Sequence, residues 1–276
     1  MSTQPEKKQC VLVTGASAGF GKLVAEKLLA KGYTVYAAAR RVEKMRDIEA
    51  KGAHILQMDV TDTESVKAGV DQIITEQGRI DVLFNNAGYG SYGTIECVPL
   101  EEIQYQYDVN VFGLARLVQA VLPQMRKQRS GRIINTASVV GHVSTAVLGW
   151  YASTKFAVEG FSDALRMEVK QFGIDVVLIE PGAVKTEFDE VAFAKLDSLD
   201  HAEDYQPLVA AFRKFTSKLY SKSPGPESTA NAVVKAIEAK HPKTRYATTM
   251  DSKFLPRVKR LFSDKLFDKI VLSQMK

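Results

Sequence analysis

The sequence has 276 residues, 45% hydrophobic, 25% charged and 9% aromatic, with 37 basic against 32 acidic side chains and a net charge of +5. That is enough apolar material for one sizeable core, and too little bias for a disordered chain, a fibrous repeat or a concentrated nucleic-acid-binding face. Cys10 and Cys97 are too few for a disulfide framework, the stretch from Met1 to Lys8 is polar, and no apolar run reaches the roughly 18 residues of a spanning helix, which predicts a cytoplasmic protein.

Taken in chain order, apolar runs that suit parallel strands covered on both faces fall at 10–14, 34–38, 54–58, 80–85, 132–136 and 174–180, with a seventh at 244–248. Amphipathic stretches separate them. One opens after Thr61, where Glu64 completes a capping-box pattern, and carries Val66, Val70, Ile73 and Ile74 on one face. Strand and helix in alternation predict a single doubly wound α/β domain over 1–276, with a mostly parallel sheet and helices on both faces. The rhythm breaks at 187–225, an insertion placed where such folds build substrate walls. Beyond Pro256 an amphipathic helix is expected over 257–273, with Val258, Leu261, Phe262, Leu266 and Ile270 at helical spacing.

The first strand runs into Gly15-Ala16-Ser17-Ala18-Gly19-Phe20-Gly21 and then a helix. Glycines there let a backbone approach a pyrophosphate held at the helix N-terminus; a plain tight turn is the competing reading. The second strand ends in Ala39-Arg40-Arg41, with no carboxylate to hold a ribose 2′-hydroxyl. Arg40, assisted by Arg41, can instead fork onto a 2′-phosphate, which points to NADP(H); two solvated arginines opening a surface helix compete with this. Asp59-Val60 follows strand three, and Asn85-Asn86-Ala87-Gly88 closes strand four, where Gly88 permits close approach.

The sharpest chemistry lies at Tyr151 and Lys155, four residues apart and so on one helix face. A phenol has a pKa near about 10, and a neighbouring ammonium is expected to lower it toward acid/base use. Ser138 sits just past the fifth strand, at the carboxyl edge where open α/β sheets place their sites, and its hydroxyl can meet a developing oxyanion. Asn110 lies inside a predicted helix, where asparagine is mildly unfavourable, so a role in bending that helix and holding a water is expected. Pro181-Gly182-Ala183-Val184-Lys185-Thr186 follows strand six. The spacing of His54, His142, His201 and His241 predicts no metal site.

With its Gly-x-x-x-Gly-x-Gly turn and the ordered set Asn110, Ser138, Tyr151 and Lys155, the chain resembles the short-chain dehydrogenase/reductase family, closely over 9–190 and loosely beyond. The resemblance implies one Rossmann-type sheet and a homodimer or homotetramer built through helices at 100–126 and 151–171. It implies that Asp59 faces adenine and that Asn86, Ala87 and Gly88 line the adenosine ribose. It further implies that the Val184 backbone and the Thr186 hydroxyl meet the nicotinamide carboxamide, with Lys155 on the nicotinamide ribose and Asn110 anchoring a proton relay.

The expected pocket wall is apolar: Tyr92, Val139, Val140, Val143, Leu148, Trp150 and Phe188, with His142 nearby either as lining or as an ordinary loop residue. It suits a small hydrophobic ketone or aldehyde, reduced by NADPH with Tyr151 as general acid, with no nucleic-acid partner. The reverse reaction, oxidation of a lipid-like secondary alcohol of steroid or retinol type, uses the same groups. A catalytically silent NADPH-binding sensor would be expected to have lost Tyr151, Lys155 or Ser138. The C-terminal helix fits packing on the domain or a neighbouring subunit better than contact with a membrane surface.

Overall fold

The computed structural model describes residues 9–275, so the expectation for Met1 to Lys8 lies outside the described residues. Its elements run β1 (Cys10–Thr14), α1 (Gly19–Ala30), β2 (Thr34–Ala39), α2 (Arg46–Glu49), β3 (His54–Gln57), α3 (Thr63–Gln77), β4 (Val82–Asn85), α4 (Leu100–Tyr107) and α5 (Leu114–Gln128). They continue with β5 (Gly131–Thr136), α6 (Gly149–Val169), β6 (Ile174–Glu180), α7 (Glu187–Ser198), α8 (Gln206–Lys222), α9 (Glu227–Glu238), β7 (Arg245–Ala247), α10 (Met250–Leu261) and α11 (Asp264–Gln274).

All seven strands form one parallel sheet in the order β3-β2-β1-β4-β5-β6-β7. Alternation within each strand divides the core between two faces. Leu12, Tyr36, Leu83, Ile133 and Leu178 pack with Val70, Leu117 and Val158 from α3, α5 and α6. Val13, Val35, Phe84, Ile134 and Ile179 pack with Leu28 and Val233 from α1 and α9. The strand order reverses between β1 and β4, and the crevice outside their carboxyl ends is where this topology leaves room for a ligand.

Three local expectations need correction. Asp62, not Thr61, caps α3: its carboxylate accepts from the amides of Glu64 at 2.9 Å and Ser65 at 3.3 Å. Thr61 instead turns its hydroxyl onto the Asp59 carboxylate at 2.8 Å. The single helix expected at 257–273 is two. A Thr249/Ser252 capping box opens α10 before Pro256, and extended backbone at Phe262 ends it before Ser263 opens α11. Finally, the run from Leu100 to Gln128 is helical throughout but widens into a π-helical turn at Asp108–Gly113, around Asn110. Such bulges are a common cause of helix bending. Helices α7 and α8 fill the 187–225 insertion.

Candidate functional site

At the carboxyl edge of the sheet lies a cavity of about 630 Å3. One end is walled by the turn after β1. Gly15 adopts φ +64°, and a side chain there would meet the Ala87 Cα at 2.9 Å; one at Gly21 would meet the Gly15 carbonyl at 2.5 Å. Glycine at both positions therefore lets the turn fold tightly on the strand. Gly21 shapes the turn from behind, whereas Gly15, Ser17, Gly19 and Phe20 face the cavity. The first turn of α1 carries no acidic residue and no side-chain cap, so its amides and positive dipole end are open to an anion.

Asn86 holds this turn to the next strand. Its amide nitrogen donates to the carbonyls of Thr14 at 3.1 Å and Gly15 at 3.3 Å, while the Thr14 hydroxyl accepts from the amides of Asn86 and Ala87. Asp59, Val60, Ala87 and Gly88 line the same end. Arg40 and Arg41 line it too, both exposed. Arg40 donates to the Tyr105 hydroxyl at 2.7 Å, and Arg41 reaches the Ser17 hydroxyl at 3.3 Å and the Glu187 carboxylate at 3.4 Å. The cradle, the open helix end and the two guanidinium groups suit an anionic dinucleotide.

Tyr151, Lys155 and Ser138 meet at the middle of the cavity. The Ser138 side chain caps the short turn after β5, accepting from the Val140 amide at 3.3 Å and donating to the Pro181 carbonyl at 3.3 Å. It also lies beside the Tyr151 phenol and tends to lower the phenol's pKa. Burial, with the Tyr220 phenol second, outweighs this and pushes Tyr151 well above its ordinary value. Lys155 donates to the Thr136 carbonyl at 2.9 Å and sits 5.8 Å from the centre of the Tyr151 ring. Burial pushes its ammonium down to about 8, with Glu159 acting in the opposite direction. The expected lowering of the phenol by the ammonium is therefore not what governs Tyr151 here. Desolvation of both groups dominates and keeps the phenol protonated, the state of a proton donor.

Asn110 stands behind this trio rather than in it. Its Oδ1 accepts from the Tyr89 amide at 2.8 Å, and its Nδ2 donates to the Tyr89 carbonyl at 2.8 Å and the Thr154 hydroxyl at 3.2 Å. The side chain thus clamps the segment after β4 against α6. Pro181, Gly182, Val184 and Thr186 line the cavity beside Ser138. The Thr186 hydroxyl caps α7, accepting from the Phe188 amide at 3.3 Å, while Asp189 returns the box to the Thr186 amide at 3.1 Å.

The far end is apolar and aromatic. Tyr92, Val140, Leu148 and Phe188 line it as expected. The Tyr151 ring lies 5.4 Å from Phe188 and 6.1 Å from Tyr92. The pocket reading of His142 and Trp150 is corrected. Trp150 lies on the outside and donates its indole N–H to the Ile95 carbonyl at 3.1 Å. His142 turns away from the cavity to the Glu180 carboxylate at 3.1 Å and Glu159 at 3.5 Å.

Ligand atoms of His142, Glu159 and Glu180 lie within 4.8 Å of one another, a grouping that sequence spacing could not reveal. The Arg245 guanidinium enters the same cluster, at 2.9 Å from Glu159 and 3.2 Å from Glu180, and supplies cationic charge there. Burial and the neighbouring Glu180 push the Glu159 carboxyl up to about 7. The sequence reading also missed Phe212, Phe215, Leu219 and Tyr220 of α8 and Leu255, Val258, Phe267, Ile270 and Val271 of α10 and α11, all cavity-lining. The signal was present: Phe212, Phe215 and Leu219 recur at one-face helical spacing.

Comparison with known proteins agrees with this geometry. Residues 9–197 match the short chain dehydrogenase family. A 3-ketodihydrosphingosine reductase of Bacteroides thetaiotaomicron is 40% identical over 238 residues, 86% of each chain. An NADPH-dependent 3-dehydrocapnine reductase of Ornithobacterium rhinotracheale is 36% identical, covering 96% of each. A short-chain dehydrogenase structure from Streptomyces avermitilis superposes with a TM-score of 0.82 at 32% identity, covering 96% of each chain.

Proposed function

This chain belongs to the short-chain dehydrogenase family and is an oxidoreductase; from that premise we propose that it reduces a hydrophobic ketone or aldehyde with NADPH. The observation that carries the proposal is that Tyr151 lines the cavity together with Ser138 and Lys155, between the glycine cradle and the aromatic chamber. Bound NADPH supplies the hydride. Tyr151 donates the proton to the carbonyl oxygen, and Ser138 stabilises negative charge developing there. Lys155 binds the ribose and restores the Tyr151 proton, while Asn110 holds the surrounding backbone in register. Arg40 and Arg41 would select the 2′-phosphate, Asp59 would hold the adenine, and the Pro181–Thr186 turn would hold the nicotinamide.

Two named relatives act on ketones, one of them with NADPH, which supports the direction and the cofactor. The apolar chamber supports a long or bulky chain next to the carbonyl. Two further readings go with the proposal. Exposed Phe112 beside α5, with Phe156 and Met167 on α6, supports self-association through those helices. Free Cys10 and Cys97 suit the cytoplasm.

The test is a panel of 3-keto compounds of increasing chain length, assayed with NADPH and NADH, against the matching alcohols with NADP and NAD. The proposal predicts NADPH-dependent reduction whose kcat/KM rises with chain length. Activity confined to alcohol oxidation, or to small polar ketones, would overturn it.

A further inference from the structure

Among the described residues, half of the large apolar side chains that stay exposed lie between Met250 and Leu272. In α10, Met250, Phe254 and Leu261 are 65%, 52% and 79% exposed. With Arg257 they fall at spacings of four, three and four, so they form one outward stripe along the helix. Phe262, Leu266 and Leu272 extend this apolar surface onto α11. The inner sides of the same two helices, at Val258, Phe267 and Val271, wall the cavity.

Of the exposed large apolar side chains, three also line the cavity: Val191 on α7, Leu219 on α8 and Leu255 on α10. They mark its mouth, and Leu255 puts α10, the helix that carries the stripe, at that mouth. The same helix therefore presents apolar side chains both to solvent and to the chamber.

The charge around the stripe is predominantly positive, although Asp264 and Asp268 are exposed there too. Residues 250–275 hold six Lys or Arg against three Asp. Of the three acids, Asp251 accepts from the Ala183 amide at 2.9 Å and Asp264 pairs with Lys259 at 2.5 Å. Lys253, Arg257, Arg260, Lys265 and Lys269 are exposed. An apolar stripe rimmed by cations is the pattern of a helix that lies in an anionic lipid interface, with side chains entering the acyl boundary and ammonium and guanidinium groups among the headgroups. Self-association here would bring like charges together, and Phe112, Phe156 and Met167 offer that role a different surface.

We propose that α10 and α11 dock this protein on an anionic membrane surface, with the cavity mouth facing the bilayer. The docking rests on the surface alone. Its use, passing a lipid-chain ketone from the bilayer to Tyr151, rests on the function proposed above.

The experiment is flotation of the full chain with vesicles of phosphatidylcholine alone or with 30% phosphatidylglycerol, a mole fraction of about one third chosen to give a strongly anionic surface. The expected result is flotation with the anionic vesicles, weakened by salt. Phe254→Glu with Leu261→Glu should lower the bound fraction by about tenfold or more. Neither residue lines the cavity, so kcat/KM on a water-soluble ketone should stay unchanged, which also shows that the variant is folded. Failure to float with either vesicle overturns the proposal. So does a variant that floats like the parent, or one that breaks an oligomer, which would assign the stripe to a second copy. Flotation without activity on any ketone would leave the docking standing and count against the proposed function.

Discussion

Arg40→Ala isolates the cofactor assignment. The Arg40 guanidinium lines the cavity and spends one nitrogen on the Tyr105 hydroxyl at 2.7 Å, leaving the rest of its fork toward the site. A hydrogen bond to a charged group contributes about 1.5–3 kcal/mol. Because Arg40 is exposed, solvent screening places it at the low end, about 1.5 kcal/mol, which is about tenfold in kcat/KM. The same substitution removes nothing from a cofactor without a 2′-phosphate. Initial rates of ketone reduction with each cofactor should therefore show NADPH efficiency falling about tenfold while NADH efficiency holds. Arg41 shares its charge with Glu187 at 3.4 Å, so Arg41→Ala should cost less. Equal losses with NADPH and NADH, or no loss with either, would refute the assignment.

Two pH predictions follow from the buried charges. Ketone reduction should fall as pH rises through about 8, where Lys155 loses its proton. Glu159→Gln removes the charge that opposes burial of that ammonium, so the fall in a kcat/KM profile should move to lower pH; an unmoved limb would contradict the coupling. His142 has a raised pKa, chiefly through its hydrogen bond to Glu180. A raised folded-state value gives stability that is complete below the ordinary 6.5 and is lost as pH rises through the raised value. His142→Gln should thus lower the denaturation midpoint at about pH 5.5 and leave it near the parent's at about pH 8.5; an equal loss at both would remove the ion pair from the account.

Much of this was legible in sequence because it depends on local order. The apolar runs of the strands, the glycine turn, and the i,i+4 pair Tyr151 and Lys155 are fixed by residues close in the chain. What escaped depends on distance. His142, Glu159, Glu180 and Arg245 meet because a turn, α6, β6 and β7 converge, and only the fold reveals that His142 turns from the pocket. The protonation of Tyr151 is likewise a burial effect, set by side chains such as Tyr220, far away in sequence. The pocket wall was half read: residues next to Ser138 and Tyr151 were found, while the faces of α8, α10 and α11 were periodic but had no visible target.

The central claim is that the Tyr151 phenol hands over the proton. Tyr151→Phe keeps the ring against Phe188 and Tyr92 and deletes only that hydroxyl. Stopped-flow NADPH oxidation with a hydrophobic ketone, beside NADPH binding followed by fluorescence, tests it. The account predicts unchanged binding with turnover reduced by about 10² to 10⁴; turnover near the parent rate would contradict it.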